Sequence, residues 1–158
     1  MPVHSRFFLA PGNRINPHLL ARSGPVLQVE EVSVPTALSK FLASKERPVP
    51  QPLTGWALID TGATRSCADA TVLTKLGLSP IGVVEAGTAG GKIRQYLYPA
   101  KLRFPGEGLE IEFTSLIGVD LSGQKIADRE LIVLLGRDVL SRCVLVYNGP
   151  GGFFTVAF

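Results

Sequence analysis

Asp60-Thr61-Gly62-Ala63 is the stretch of this chain best equipped for chemistry. It follows the apolar run Trp56-Ala57-Leu58-Ile59 and precedes Thr64-Arg65-Ser66. A carboxylate at the end of a buried strand is pushed toward its neutral form unless a partner holds it charged. The hydroxyl beside it can hydrogen-bond locally, and the glycine permits a tight turn and the close approach of another backbone. That is one half of a site in which two carboxylates share a proton and divide acid and base work between them. The chain carries a single copy of the motif, so catalysis of this kind requires a second chain. The plainer alternative for Asp60 is an Asx-turn at a strand end, which Asp-Thr-Gly readily forms.

The elements around the motif read as short strands joined by turns. Val26 to Val34 is strand-like, with an alternation that slips at Glu30-Glu31 and predicts a bulge. Thr36 to Ala43 fits one or two helical turns, and the proline-rich stretch Arg47 to Pro52 fits an exposed connection. Gly55 to Ile59 leads into Asp60. Asp69 is a good N-cap for the helix Ala70 to Leu76, which Gly77 ends. Ile81 to Glu85 and Ile93 to Tyr98 form a hairpin with a glycine-bearing tip at Gly87-Thr88-Ala89-Gly90-Gly91. As a plain flexible loop or as a lid, that tip fits equally well. Leu102 to Phe104 and Leu109 to Phe113 flank a Pro105-Gly106 turn, and Leu116 to Val119 is a further strand.

Leu131-Ile132-Val133-Leu134-Leu135 is apolar at every position, as a strand buried on both faces must be. Gly136-Arg137-Asp138 breaks it, with Asp138 placed to cap a short helix Val139 to Cys143. Two strands follow around Asn148 to Gly152. The apolar strand Phe153 to Phe158 is either an internal strand or a dimer strand.

Composition narrows the function classes. The 158 residues suffice for one domain with its own core, and 46% hydrophobic content excludes general disorder. The net charge of +3 is scattered, which gives no support to a nucleic-acid role. Cys67 and Cys143 make no disulfide framework, and His4 and His18 lack metal-ligand spacing, so neither a metal nor a cofactor is expected. The apolar patch Phe7 to Ala10 is too short for a signal-peptide core, and no run is long enough for a membrane span. A cytoplasmic protein is expected. Ser66 has no histidine nearby in sequence, which makes serine hydrolase chemistry weak; a Cys67 nucleophile is equally weak.

Taken in order, these features resemble the retropepsin family, the single-domain aspartic proteases of retroviral type and their bacterial relatives. The matching features are the apolar strand into Asp60-Thr61-Gly62-Ala63, the short helix, the glycine-rich hairpin, and the apolar strand into Leu135-Gly136-Arg137-Asp138. The likeness spans about Val26 to Phe158. It implies a mainly-β, closed acid-protease barrel with short helices and one half-site per chain, over residues 25–158. Residues 1–24 are then an arm or an added edge strand. It implies a homodimeric aspartic endopeptidase acting on peptide or protein substrates. Asp60, Thr61 and Gly62 would form the catalytic loop. Ala63, Thr64, Arg65 and the tip residues Gly87, Thr88, Ala89, Gly90 and Gly91 would border substrate. Arg137 and Asp138 would support the loop from behind. The sequence departs from the family pattern just after Ala63, where an acidic residue often pairs with the arginine. Thr64 and Arg65 stand there instead, which leaves Asp69 or Asp138 as candidate partners for Arg137. A catalytically silent peptide-binding or dimerisation module is the competing expectation.

Overall fold

Short alternating and apolar runs build a mainly-β protein with short helices. The computed structural model describes residues 2–88, 90–104, 109–127 and 129–158. The chain begins with β1 (Val3–Phe7), β2 (Leu9–Ala10), β3 (Arg14–Ile15), α1 (Pro17–Ser23), β4 (Val26–Ser33) and α2 (Thr36–Ser44). It continues through β5 (Leu53–Ile59), β6 (Cys67–Asp69), α3 (Ala70–Lys75), β7 (Gly82–Thr88) and β8 (Gly91–Arg103). The last elements are β9 (Glu110–Val119), β10 (Lys125–Ile126), β11 (Arg129–Leu135), α4 (Arg137–Leu140), β12 (Val144–Asn148) and β13 (Phe153–Ala157).

The main sheet runs β10-β11-β5-β4-β8-β9-β6, and β7 pairs with β8 as a hairpin. β6 pairs with β9 on one side and with β11 on the other, so the hydrogen-bonded path returns to β11. β5 and β11 are parallel neighbours with Leu135 opposite Ile59. Both strands therefore end at the same edge of the sheet, and whatever follows them in sequence is brought together there. The core is filled by fully buried side chains from these strands, among them Leu27, Val29, Leu102, Leu116, Val133 and Leu135.

Several local expectations hold. The pairing of β4 with β5 shifts register between Val29 and Val32, around Glu30-Glu31. The Asp69 carboxylate caps α3 by accepting from the Thr71 and Val72 amides, and Gly77 follows with φ +71°. Others are corrected. β8 is one strand of 13 residues rather than two runs; Pro99, which has no amide to donate, sits where its pairing with β9 shifts. β9 likewise continues through Thr114 and Ser115. The Pro105-Gly106 turn lies outside the described residues. α4 starts at Arg137 with Gly136 as its N-cap, so Asp138 lies inside the helix and does not cap it.

The first 24 residues are integrated with the rest. β1 pairs with β13, and Phe8 and Leu20 are buried in the common core. Asn16 caps α1 by accepting from the His18 amide, with Pro17 at the first helical position. β13 is internal, being the centre of a sheet ordered β1-β13-β12. Phe154 and Val156 on its inner face are fully buried. No helix among the described residues is long and apolar enough to cross a membrane.

Candidate functional site

The site is made where β5 and β11 end. The Asp60 amide donates to the Leu135 carbonyl at 2.9 Å, which ties the first residue of one loop to the last residue of the other strand. The chain from Asp60 then turns back on itself. Asp60 Oδ1 accepts from the Gly62 amide at 2.9 Å and the Ala63 amide at 3.2 Å. These amides hold the half-buried carboxylate in one orientation and solvate an oxygen that has lost part of its water.

The second loop laces onto the first. The Arg137 amide donates to the Ala63 carbonyl at 2.9 Å, and the Asp138 amide donates to the Thr64 carbonyl at 3.2 Å. The Arg137 guanidinium donates from Nη1 to the Thr61 carbonyl at 2.9 Å and from Nη2 to Thr64 Oγ1 at 3.0 Å. The rigid fork of arginine suits this spread of acceptors. Neither acidic candidate pairs with it. Asp69 is spent on capping α3 and on the Leu121 amide. Asp138 accepts from the Ser66 amide, the Ser66 hydroxyl and the Val139 amide. Among the described residues Arg137 makes no ion pair; backbone carbonyls and Thr64 stand where an acidic partner was expected.

Ser66 is the residue that sequence reasoning missed. It is 1% exposed. Its hydroxyl donates to Asp138 Oδ1 at 2.7 Å and accepts from the Gly136 amide at 3.0 Å. Ser66 is therefore a clasp between the two loops. Gly136 fits only as glycine, because a Cβ there would lie 2.5 Å from the Arg65 carbonyl carbon and 2.7 Å from its oxygen. Arg65, expected beside substrate, donates from Nη2 to the Ser115 carbonyl at 2.6 Å and to the Ser115 hydroxyl at 2.9 Å, which binds the loop to β9.

Cys67 lies buried behind the loop. Burial, and then the nearby Asp60 carboxylate, push its thiol up to about 11. It is a neutral core thiol at ordinary pH and a poor nucleophile. No group of His, Cys, Asp or Glu suited to a metal ion occurs among the described residues.

The sequence-predicted tip residues form a separate region. Gly87 and Thr88 end β7, Gly90 lies in the turn, and Gly91 opens β8 with φ +115°. Ala89 lies outside the described residues. The structure thus brings together Asp60 to Ser66 and Gly136 to Asp138, and carries the tip on the β7–β8 hairpin. Compared with known proteins, the chain matches no protein-family model and none of the curated proteins.

Proposed function

We propose that this chain is one subunit of a homodimeric aspartic endopeptidase of the retropepsin kind. The observation that carries the reading is the lacing of the Asp60 loop to Gly136-Arg137-Asp138 at the shared edge of two parallel strands. It leaves one carboxylate held by the Gly62 and Ala63 amides. The strand path returning from β6 to β11 supports a closed acid-protease barrel. The β7–β8 hairpin supports a flap. On the outward face of the β1-β13-β12 sheet, Val3, Phe7, Val144 and Val146 are exposed. Apolar faces of this kind are commonly covered by another chain.

In the dimer the two Asp60 carboxyls meet at the two-fold axis. Two carboxylates that close cannot both carry charge, so one proton is shared between them. The charged member takes a proton from a water as that water attacks the scissile carbonyl. The protonated member donates to the carbonyl oxygen, and the roles reverse as the amine leaves. The flap closes over an extended peptide and excludes bulk water.

Asp60→Asn tests this reading. Cleavage of a broad peptide library by the wild type across acidic to neutral pH is expected to fall by about 10³-fold or more in the variant, while native mass measurement shows an unchanged dimer. A wild type that cleaves nothing would overturn the reading, and so would a stable monomer at high protein concentration.

A further inference from the structure

An open pocket of about 700 Å³ includes Leu58 of β5 in its lining. Trp56 and Leu58 alternate with the buried Ala57 and Ile59 along β5, so their side chains share one face, and Asp60 directly follows the strand's last residue. Leu58 lines the pocket, two residues before Asp60. At strand spacing that is about 7 Å, the distance between side chains on one side of an extended peptide.

The lining combines apolar walls, Leu58, Ile126 and Leu131, with three cations, Arg6, Arg22 and Lys125. No acidic side chain occurs among the described residues that line it, and none of the three cations makes an ion pair with a described residue. Arg6 is the half-buried member. Its guanidinium lies 4.1 Å from the centroid of the Trp56 ring and 5.1 Å from that of Phe8. These contacts fix it in place without neutralising it. Its Nη1 donates to the Val26 carbonyl at 3.2 Å, one of five N–H groups a guanidinium offers. Burial holds Arg6 below its usual value, and burial together with the Arg6 charge holds His4 low. An anion arriving in the pocket relieves the first of these costs.

We propose that this pocket receives the carboxylate of an acidic substrate side chain next to the scissile bond, with Arg6 as the principal specificity-determining residue and Arg22 and Lys125 at the rim. The assignment rests on the endopeptidase reading for its place in the substrate, but the pocket's charge is independent of catalysis. The aliphatic part of a glutamate lies along Leu58, Ile126 and Leu131, and its carboxylate meets the guanidinium. A matched glutamine keeps the shape and loses the charge-assisted bond.

Two assays with the full chain separate the pocket from the chemistry. In cleavage, sites from a mixed peptide library are expected to show Glu or Asp enriched at one position within two residues of the bond. A Glu peptide should then exceed its Gln match by about tenfold in kcat/KM. In binding, Asp60→Asn is titrated with capped octapeptides matched except for a central Glu or Gln, read through Trp56, the only tryptophan of the chain. The Glu peptide should bind about tenfold tighter, with the margin shrinking in 0.5 M NaCl. Arg6→Gln should reduce either ratio to within about twofold, the rim variant Lys125→Gln should reduce it less, and the control Lys40→Gln should leave it intact. Cleavage without acidic preference overturns the pocket assignment and leaves the protease reading standing. An absence of cleavage combined with Arg6-dependent binding of the Glu peptide overturns the protease reading and supports the pocket. Equal binding of the two peptides, or an undiminished ratio in Arg6→Gln, overturns the pocket.

Discussion

Around Asp60, two loops distant in sequence are joined by amides, carbonyls, a guanidinium and a buried hydroxyl, whereas the β7–β8 hairpin is held chiefly by its own ladder from Gly82–Leu97 to Thr88–Gly91. The hairpin also exposes Val83, Ile93 and Tyr96. The difference matches the division of labour that the proposed protease requires. The junction fixes a carboxylate in one orientation, which preorganised chemistry needs. The hairpin has little packed against it, and segments built this way open at low cost. A lid must belong to the second class and a catalytic carboxylate to the first.

The sharpest way to break the junction is Gly136→Ala. The added methyl cannot avoid the Arg65 backbone, because the atoms it would meet are main-chain atoms that no rotamer change can move. A loss of about 3 kcal/mol is expected from urea unfolding. A variant as stable as wild type would show that the two loops are not held as closely as the structure has them.

Raising the pH probes the buried side of the same junction. From the 9.0 of an unperturbed thiol, burial in the folded protein raises Cys67 to about 11. The folded state therefore keeps the proton more tightly. Its contribution to stability is fully present below about pH 9 and is lost as pH climbs from there through 11. The full loss is about 2 to 3 kcal/mol. Because burial also pushes Cys143 up, Cys143→Ala serves as the common background. In that background, Cys67→Ala should flatten the fall in stability between pH 9 and 11. An unchanged slope would remove Cys67 as its source.

Ser66→Ala is next in size. It removes the hydroxyl that Asp138 accepts from and leaves the buried Gly136 amide without its acceptor. About 2 kcal/mol of stability should be lost. Asp138→Asn, which keeps an acceptor oxygen, should cost less. Equal stability of Ser66→Ala and wild type would mean that the clasp is made by the backbone alone.

The sequence made one side of this comparison more legible than the other. Runs that are apolar at every position announce buried strands, so Trp56–Ile59 and Leu131–Leu135 could be found, and each ends at a residue that breaks the run. The slip at Glu30-Glu31 and the cap at Asp69 are local signals and were equally readable. Ser66 was not, because its partner Asp138 lies 72 residues away and nothing in a serine's surroundings names a distant carboxylate. The partners of Arg137 are hidden for a related reason. Carbonyl acceptors belong to every residue, so a guanidinium satisfied by backbone leaves no trace in composition. α1 did carry a signal, Asn16 before Pro17 as N-cap and first helical residue, but with Pro11 and Pro17 breaking any clear period, residues 1–24 read only as an arm or an added edge strand. The three residues of β6 are too few for any period to show.

The smallest effect belongs to the hairpin and sharpens the contrast. A Cβ at Gly87 would meet nothing within 4 Å, in the same molecule where one at Gly136 meets main-chain atoms below 3 Å. Gly87→Ala should therefore change stability by no more than about 0.5 kcal/mol. Hydrogen exchange should separate the regions in the wild type as well, with Val83 to Gly87 amides exchanging far faster than those of Ala57 to Ile59 and Val133 to Leu135. If Gly87→Ala slows peptide turnover while leaving stability and the protection of β5 and β11 unchanged, the hairpin acts on substrate and not on the fold. Equal protection of hairpin and junction would remove the distinction between a fixed carboxylate and a movable cover, and with it the case for a flap.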